Sequence, residues 1–186
     1  MFCQEKLLHR EARSGALVLE RGFAVSLLRL MKILFVCLGN ICRSPLAEAL
    51  FADLLTREGL AGSISVDSAG TSGLHSGEKA DVRSRDCAAR HGLEIGHRAR
   101  GLKDSDFAEF DLLVAMDHSN LADLRRRAPT PAARAKIHLM REWDPAGPGE
   151  VPDPYYGTEA DFEYVWHLCE RSAPGLLEHL RVKERA

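Results

Sequence analysis

The chain has 186 residues, 45% apolar and 28% charged, enough apolar material for one domain with a substantial core. A formal net charge of −2 leaves no electrostatic footprint for nucleic acid, and no apolar run is long enough for a signal peptide or a membrane span. Five cysteines, odd in number and scattered (Cys3, Cys37, Cys42, Cys87, Cys169), argue against a disulfide-built secreted fold. They point to a reducing, cytoplasmic setting in which one thiol is kept for chemistry.

Residues 1–30 mix Lys6, Arg10, Arg13, Arg21 and Arg29 with Glu5, Glu11 and Glu20. We expect a poorly ordered N-terminal extension with no part in the chemistry, because Met31 stands immediately before the first strand and makes a natural start. A transit peptide, built on a mildly amphipathic, Arg-bearing helix over residues 16–30, is the alternative, and the acidic residues count against it. One domain is expected over 31–186, acting as a monomer.

Residues 32–36 are apolar and partly β-branched, and from Pro45 to Leu55 apolar residues recur at helical spacing. Between them lies the loop Cys37, Leu38, Gly39, Asn40, Ile41, Cys42, Arg43, Ser44. The pattern predicts a strand, a tight polar loop and a helix, with Ser44 as N-cap and Pro45 at the first helical position. Such a loop gathers amide N–H groups at the positive end of a helix, where a phosphate-like anion is held.

The first helix stops near Gly59, and residues 63–67 form a second strand, parallel to the first through a right-handed crossover. Ser68 to Gly73 then make a loop of small residues beside the first loop, on the sheet edge where ligands bind. A helix is predicted over 79–91, irregular chain over 95–101, a short helix over 104–110, and a buried strand over 112–116. A helix over 119–127 ends before Pro129 and Pro131, and residues 136–140 give a fourth strand. The runs Arg125–Arg127 and Arg98 with Arg100 are read as solvated faces. A long loop with Pro145, Gly147, Pro148, Gly149, Pro152 and Pro154 marks a functional segment. The last helix starts near Glu159, carries a core stripe from Phe162 to Leu180, and is expected to kink or break at Ala173 before Pro174 and Gly175. The whole reads as α/β: one open four-stranded parallel sheet, helices on both faces, and the anion loop after the first strand.

A cysteine, five residues, an arginine and a serine are the minimum for thiolate attack on a phosphate monoester. The loop amides, the helix end and Arg43 all favour the thiolate of Cys37. Arg43 can hold two equatorial phosphate oxygens with its planar fork, and Ser44 can donate to the sulfur when it leaves. Asn40 stands where the loop must bend back, and asparagine tolerates the left-handed conformation. Neither metal nor cofactor is expected, since Arg43, the amides and the helix supply the positive charge, and the eight histidines show no metal-ligand spacing.

The run Val36 to Glu48 resembles the signature of the low-molecular-weight protein tyrosine phosphatases. So do Val66 to Thr71, His97 to Arg100, Phe110-Asp111, Met116 to Leu121, and Asp153-Pro154-Tyr155-Tyr156-Gly157. The similarity runs from about Lys32 to Leu180. It implies hydrolysis through a phosphocysteine, with Asp153 as general acid and then base. It further implies that Asn40 is held by Ser44, Ser68 and His97, that Leu74, Tyr155 and Tyr156 wall the cleft, and that Cys42 can capture an oxidised Cys37 as a disulfide. The expected partner is a phosphotyrosine-bearing protein or a small aryl phosphate. Where many relatives carry Trp or Tyr this chain has Leu74, so stacking on a substrate ring is weaker. A protein-arginine phosphatase of the same family is the nearest rival; that branch carries Thr where this chain has Ile41. A related arsenate reductase and a non-catalytic phosphate-binding or redox-sensing module are the others.

Overall fold

The structure is a computed structural model and describes residues 30–184; the expectations for residues 1–29 and for Cys3 lie outside it. Four strands make one sheet: β1 (Met31–Cys37), β2 (Ile64–Gly70), β3 (Leu112–Ala115) and β4 (Ile137–Leu139). Their order is β2-β1-β3-β4 and every pairing is parallel, with Cys37 opposite Gly70 and Val36 opposite Ala115. The chain leaves β1 toward one neighbour and returns to the other, so the crossovers diverge at the C-terminal end of β1. That divergence opens a crevice at Cys37.

Among the described residues six helices cover the sheet: α1 (Arg43–Arg57), α2 (Val82–Arg90), α3 (Asp106–Glu109), α4 (His118–Arg127), α5 (Pro131–Arg134) and α6 (Glu159–Glu184). Strand periodicity of two splits the buried apolar residues between two cores. Ile33, Phe35, Leu112 and Val114 pack with α1, α2 and α6, where Phe35 meets Phe51 edge to face at 5.7 Å. Leu34, Val36, Leu113 and Ala115 pack with α3, α4 and α5. Both faces are therefore covered, as a near-continuous apolar run requires.

Two local expectations are corrected. Helix α1 begins at Arg43, with Cys42 as its N-cap residue and no capping side chain, so Ser44 lies within the first turn. Its hydroxyl turns instead toward the loop. Helix α6 runs through Pro174 without a break. The carbonyl that Pro174 leaves without an amide partner belongs to Glu170, on the exposed side, where water can serve it. Gly175 lets the helix close onto the short 3-10 turn Met140–Trp143, since a Cβ there would lie 2.5 Å from the Trp143 carbonyl oxygen. That turn and α5 are elements the sequence reading missed. Pro131 does not merely end α4; it opens α5 at its first turn, with Thr130 Oγ1 accepting from the Ala133 N–H at 3.1 Å.

Candidate active site

The loop from Cys37 to Arg43 closes over the sheet edge. Asn40 is the one non-glycine residue with positive φ (57°) among those described, and its side chain ties the turn together. The Arg100 N–H donates to Asn40 Oδ1 at 2.8 Å, so the two Nδ2 protons are left for Ser44 Oγ at 2.9 Å and Ser68 Oγ at 2.8 Å. Ser68 in turn donates to Glu48 Oε2 at 2.5 Å. Ser44 Oγ also lies 3.0 Å from Cys37 Sγ, where its hydroxyl donates once the sulfur is a thiolate. The Asn40 N–H lies 3.3 Å from the same sulfur. Two donors thus converge on Sγ, and Cys37 itself is almost fully buried.

His97 touches this network at its edge, with Nδ1 3.4 Å from Ser68 Oγ and Nε2 3.4 Å from the Asn40 carbonyl. Burial lowers its pKa and so favours the neutral ring, while burial pushes Glu48 up to about 7. Below the loop, Gly70 permits a close approach: a Cβ there would meet the carbonyl oxygens of Leu38 and Ser72 at 2.7 Å.

Arg43 is 2% exposed and spans the site. Nη1 donates to Asp117 Oδ2 at 2.5 Å and to the Val151 carbonyl at 3.1 Å, and Nη2 donates to Asp153 Oδ2 at 2.6 Å. Its Nε, also buried, has no acceptor among the described residues. The neighbouring charges of Cys37, Asp117 and Asp153 outweigh the desolvation that opposes them and hold the guanidinium firmly protonated. Burial, by contrast, pushes the Cys42 thiol up to about 12, as it does the thiols of Cys87 and Cys169.

The long loop between the 3-10 turn and α6 brings Asp153 to this point, and arginines brace it at three places. Arg141 bonds the Gly147 and Glu150 carbonyls, Arg43 the Val151 carbonyl, and Arg83 the Tyr155 and Gly157 carbonyls at 2.9 and 3.0 Å. The Val151 N–H also bonds the Met116 carbonyl beyond β3 at 2.8 Å. Asp144, at the base of the loop, has no solvent-exposed side-chain surface and is gripped by Arg171 at 2.6 and 2.7 Å and by Arg141 at 2.9 Å. Arg171 above all holds this carboxyl well below the usual carboxylate range.

A cleft of about 380 Å³ opens above the loop. Cys37, Arg43 and Asp153 line it together with Leu38, Gly39, Ile41, Cys42, Leu74, Tyr155 and Tyr156. Leu74 and Tyr156 stand almost fully exposed at the rim, and Tyr155 meets Tyr156 edge to face at 4.9 Å. Ser44, Ser68, Asn40 and His97 lie behind it. The sequence reading missed His75 on the cleft wall, Asp117 and Val151 on Arg43, Glu48 and Arg100 in the asparagine network, and Arg83 on the acid loop. Two of them carried a signal. Glu48 follows Ser44 by four residues on one helix face, and Asp117 follows a parallel strand at the ligand edge.

Comparison with known proteins agrees with this geometry. The family described as "Low molecular weight phosphotyrosine protein phosphatase" matches residues 32–186. The human protein of that description is 46% identical over 147 residues, covering 78% of this chain and 93% of its own. A crystal structure of a protein tyrosine phosphatase from Entamoeba histolytica superimposes with a TM-score of 0.80 at 39% identity, over 83% of this chain and 99% of that one. A drosophila arginine phosphatase also superimposes, with a TM-score of 0.74 at 34% identity over 81% and 98% of the two chains. Fold, loop and sequence therefore agree: the chain belongs to the low-molecular-weight phosphotyrosine protein phosphatase family.

Proposed function

We propose that the protein hydrolyses phosphate monoesters, protein phosphotyrosine foremost, through a phosphocysteine on Cys37. The observation that carries the reading is the spanning guanidinium of Arg43, fixed beneath the cleft between the Cys37 loop and Asp153. A phosphate dianion takes the Nε–Nη2 edge of Arg43 and the loop amides, and Asp153 gives up its hold on Nη2. Freed from Nη2, the Asp153 carboxyl faces the leaving oxygen as its proton donor. Cys37 Sγ then forms a bond to phosphorus while the P–O bond to the leaving group breaks, and Asp153 protonates the departing oxygen. In the second half water attacks phosphorus, Asp153 takes its proton, and the S–P electron pair returns to Cys37. Ser44 and the Asn40 N–H stabilise the thiolate as it leaves.

Ile41 and the two tyrosines favour an aromatic ester over phosphoarginine. In a cytoplasmic, reducing setting, an oxidant such as peroxide would take two electrons from Cys37 and Cys42 and leave them as a disulfide. Until then burial keeps the Cys42 thiol protonated.

The test is a panel of phosphotyrosine and phosphoarginine peptides with small aryl phosphates, assayed in EDTA. Phosphotyrosine and aryl esters are expected to turn over and phosphoarginine to lag; faster phosphoarginine hydrolysis overturns the substrate assignment. Asp153→Ala should lose about 10²–10⁴-fold on aryl phosphates with poor leaving groups and less on good ones. An unchanged rate removes Asp153 from the mechanism.

A further inference from the structure

Where α2 packs against α6, on a flank that the catalytic chemistry does not use, three ligating side chains meet. Cys87 and His91 stand one helical turn apart at the C-terminal end of α2, and Glu163 comes from the beginning of α6. Their ligand atoms all lie within 4.8 Å of one another, with His91 Nε2 2.8 Å from Glu163 Oε2. Cys87 is fully buried, whereas the side chains of His91 and Glu163 each keep 27% of their surface open. The thiol therefore forms the floor of a small site whose mouth is an imidazole and a carboxylate. The imidazole is already oriented: it stacks on Trp166 at 4.1 Å with the planes 7° apart.

We propose that Cys87, His91 and Glu163 bind one Zn²⁺ ion, with water as the fourth ligand, and that the ion staples α2 to α6. Zinc takes one sulfur, one nitrogen and one oxygen in a tetrahedron with bonds of about 2.0–2.3 Å, which sets ligand separations near 3.5 Å. The one close pair, at 2.8 Å, must open and none of the separations exceeds 4.8 Å, so side-chain shifts of about 1 Å complete the site. Thiolate and imidazole together select zinc over magnesium or calcium, which prefer all-oxygen sets. On binding, the S–H bond of Cys87 breaks and its proton goes to solvent, the proton that His91 Nε2 and Glu163 Oε2 share leaves for Nδ1 or solvent, and the Zn–S, Zn–N and Zn–O bonds form. Arg90 holds the other carboxylate oxygen, Oε1, at 2.6 Å and can keep it while Oε2 turns to the ion. Its Nη1 also stands 3.7 Å from Glu159.

The position gives the ion leverage. The start of α2 ties the two halves of the catalytic site together: the Asp81 N–H bonds the Ile41 carbonyl at 2.8 Å, and Arg83 holds the acid loop. An ion at the far end of this nine-residue helix braces that tie against α6.

The test uses the full chain carrying Cys37→Ser, which removes the nucleophilic thiol as a competing ligand. Titration with Co²⁺ should give a thiolate-to-cobalt charge-transfer band with tetrahedral d–d bands, at one ion per chain and displaced by Zn²⁺. Adding Cys87→Ser should abolish the charge-transfer band, and Cys42→Ser should leave it. His91→Ala and Glu163→Gln, both at the surface, should weaken binding about tenfold or more. Zinc at a hundredfold excess over its Kd should raise the melting temperature by about 5–10 °C, and not in His91→Ala. The other ligating cluster among the described residues, Glu48, Asp67 and His97, carries no sulfur and gives no thiolate band. Absence of the band, its persistence without Cys87, its loss with Cys42, or zinc stabilisation unaffected by His91→Ala overturns the site.

Discussion

Ser44 shows how a single hydrogen bond assigns a role. Asn40 Nδ2 donates to its oxygen and holds the hydroxyl 3.0 Å from Cys37 Sγ, in place to donate to a thiolate. Ser44→Ala should leave formation of the phosphocysteine nearly intact and slow its hydrolysis about 10²-fold, seen as a burst of aryl product before a slow steady state. Equal loss in both phases would assign Ser44 to loop architecture instead. Glu48 gives a second residue-level test, through pH. Burial raises its pKa from 4.5 to about 7, so between these values the folded chain keeps a proton that the unfolded chain has lost. Its contribution to stability is complete below about 4.5 and falls as pH rises through about 7. His97, lowered by burial, has the opposite slope below 6.5. Glu48→Gln keeps the acceptor for Ser68 and should be more stable than the wild type by roughly 2 kcal/mol at pH 8, with about a quarter of that gain at pH 5. Urea melts at the two pH values check this; parallel pH slopes for variant and wild type would refute it. The left-handed Asn40 and the cysteine–arginine–serine spacing were legible because each expresses a local rule. Helical spacing placed Glu48 and the strand end placed Asp117 near the loop, but their partners, and Arg100 altogether, were not legible, because nothing in a linear pattern says which distant side chain will fill a buried acceptor or donor.

Among the elements, the four strands and the long helices were readable from apolar runs and helical spacing, with ends displaced by a few residues. What failed was punctuation. Ser44 reads as a cap until a nearby thiol claims its hydroxyl, and Pro174 reads as a break until the lost hydrogen bond faces water. The acid loop was recognisable by its prolines, yet its conformation rests on arginines far from it in sequence. Asp144, sealed against Arg141 and Arg171, is its base. Asp144→Asn should lower stability by about 2 kcal/mol near pH 7, because hydrogen bonds to charged partners are weakened and the bidentate pairing is lost. As the carboxyl titrates below its usual range, its contribution is complete above about pH 4 and lost as pH falls further. The difference between wild type and variant should therefore shrink in acid, as thermal melts across that range will report.

At the scale of the whole molecule, a sheet covered on both faces leaves one open edge for chemistry, the crevice where the crossovers part at Cys37. Nothing else about the site follows from the fold alone; selectivity rests on what stands at the rim, where Leu74, His75, Tyr155 and Tyr156 surround the entrance. The three-point arginine bracing of the acid loop also bears on the timing of turnover. Enzymes that fold a lid over their substrate spend part of each cycle waiting for it. Here Asp153, the proposed proton donor, is docked on the guanidinium before any substrate arrives, so on that proposal the exchange of one anion for another replaces a closing motion. Turnover of good aryl esters should then be insensitive to added viscogen, and Arg83→Gln, which frees the loop tip, should introduce the viscosity dependence that the wild type lacks.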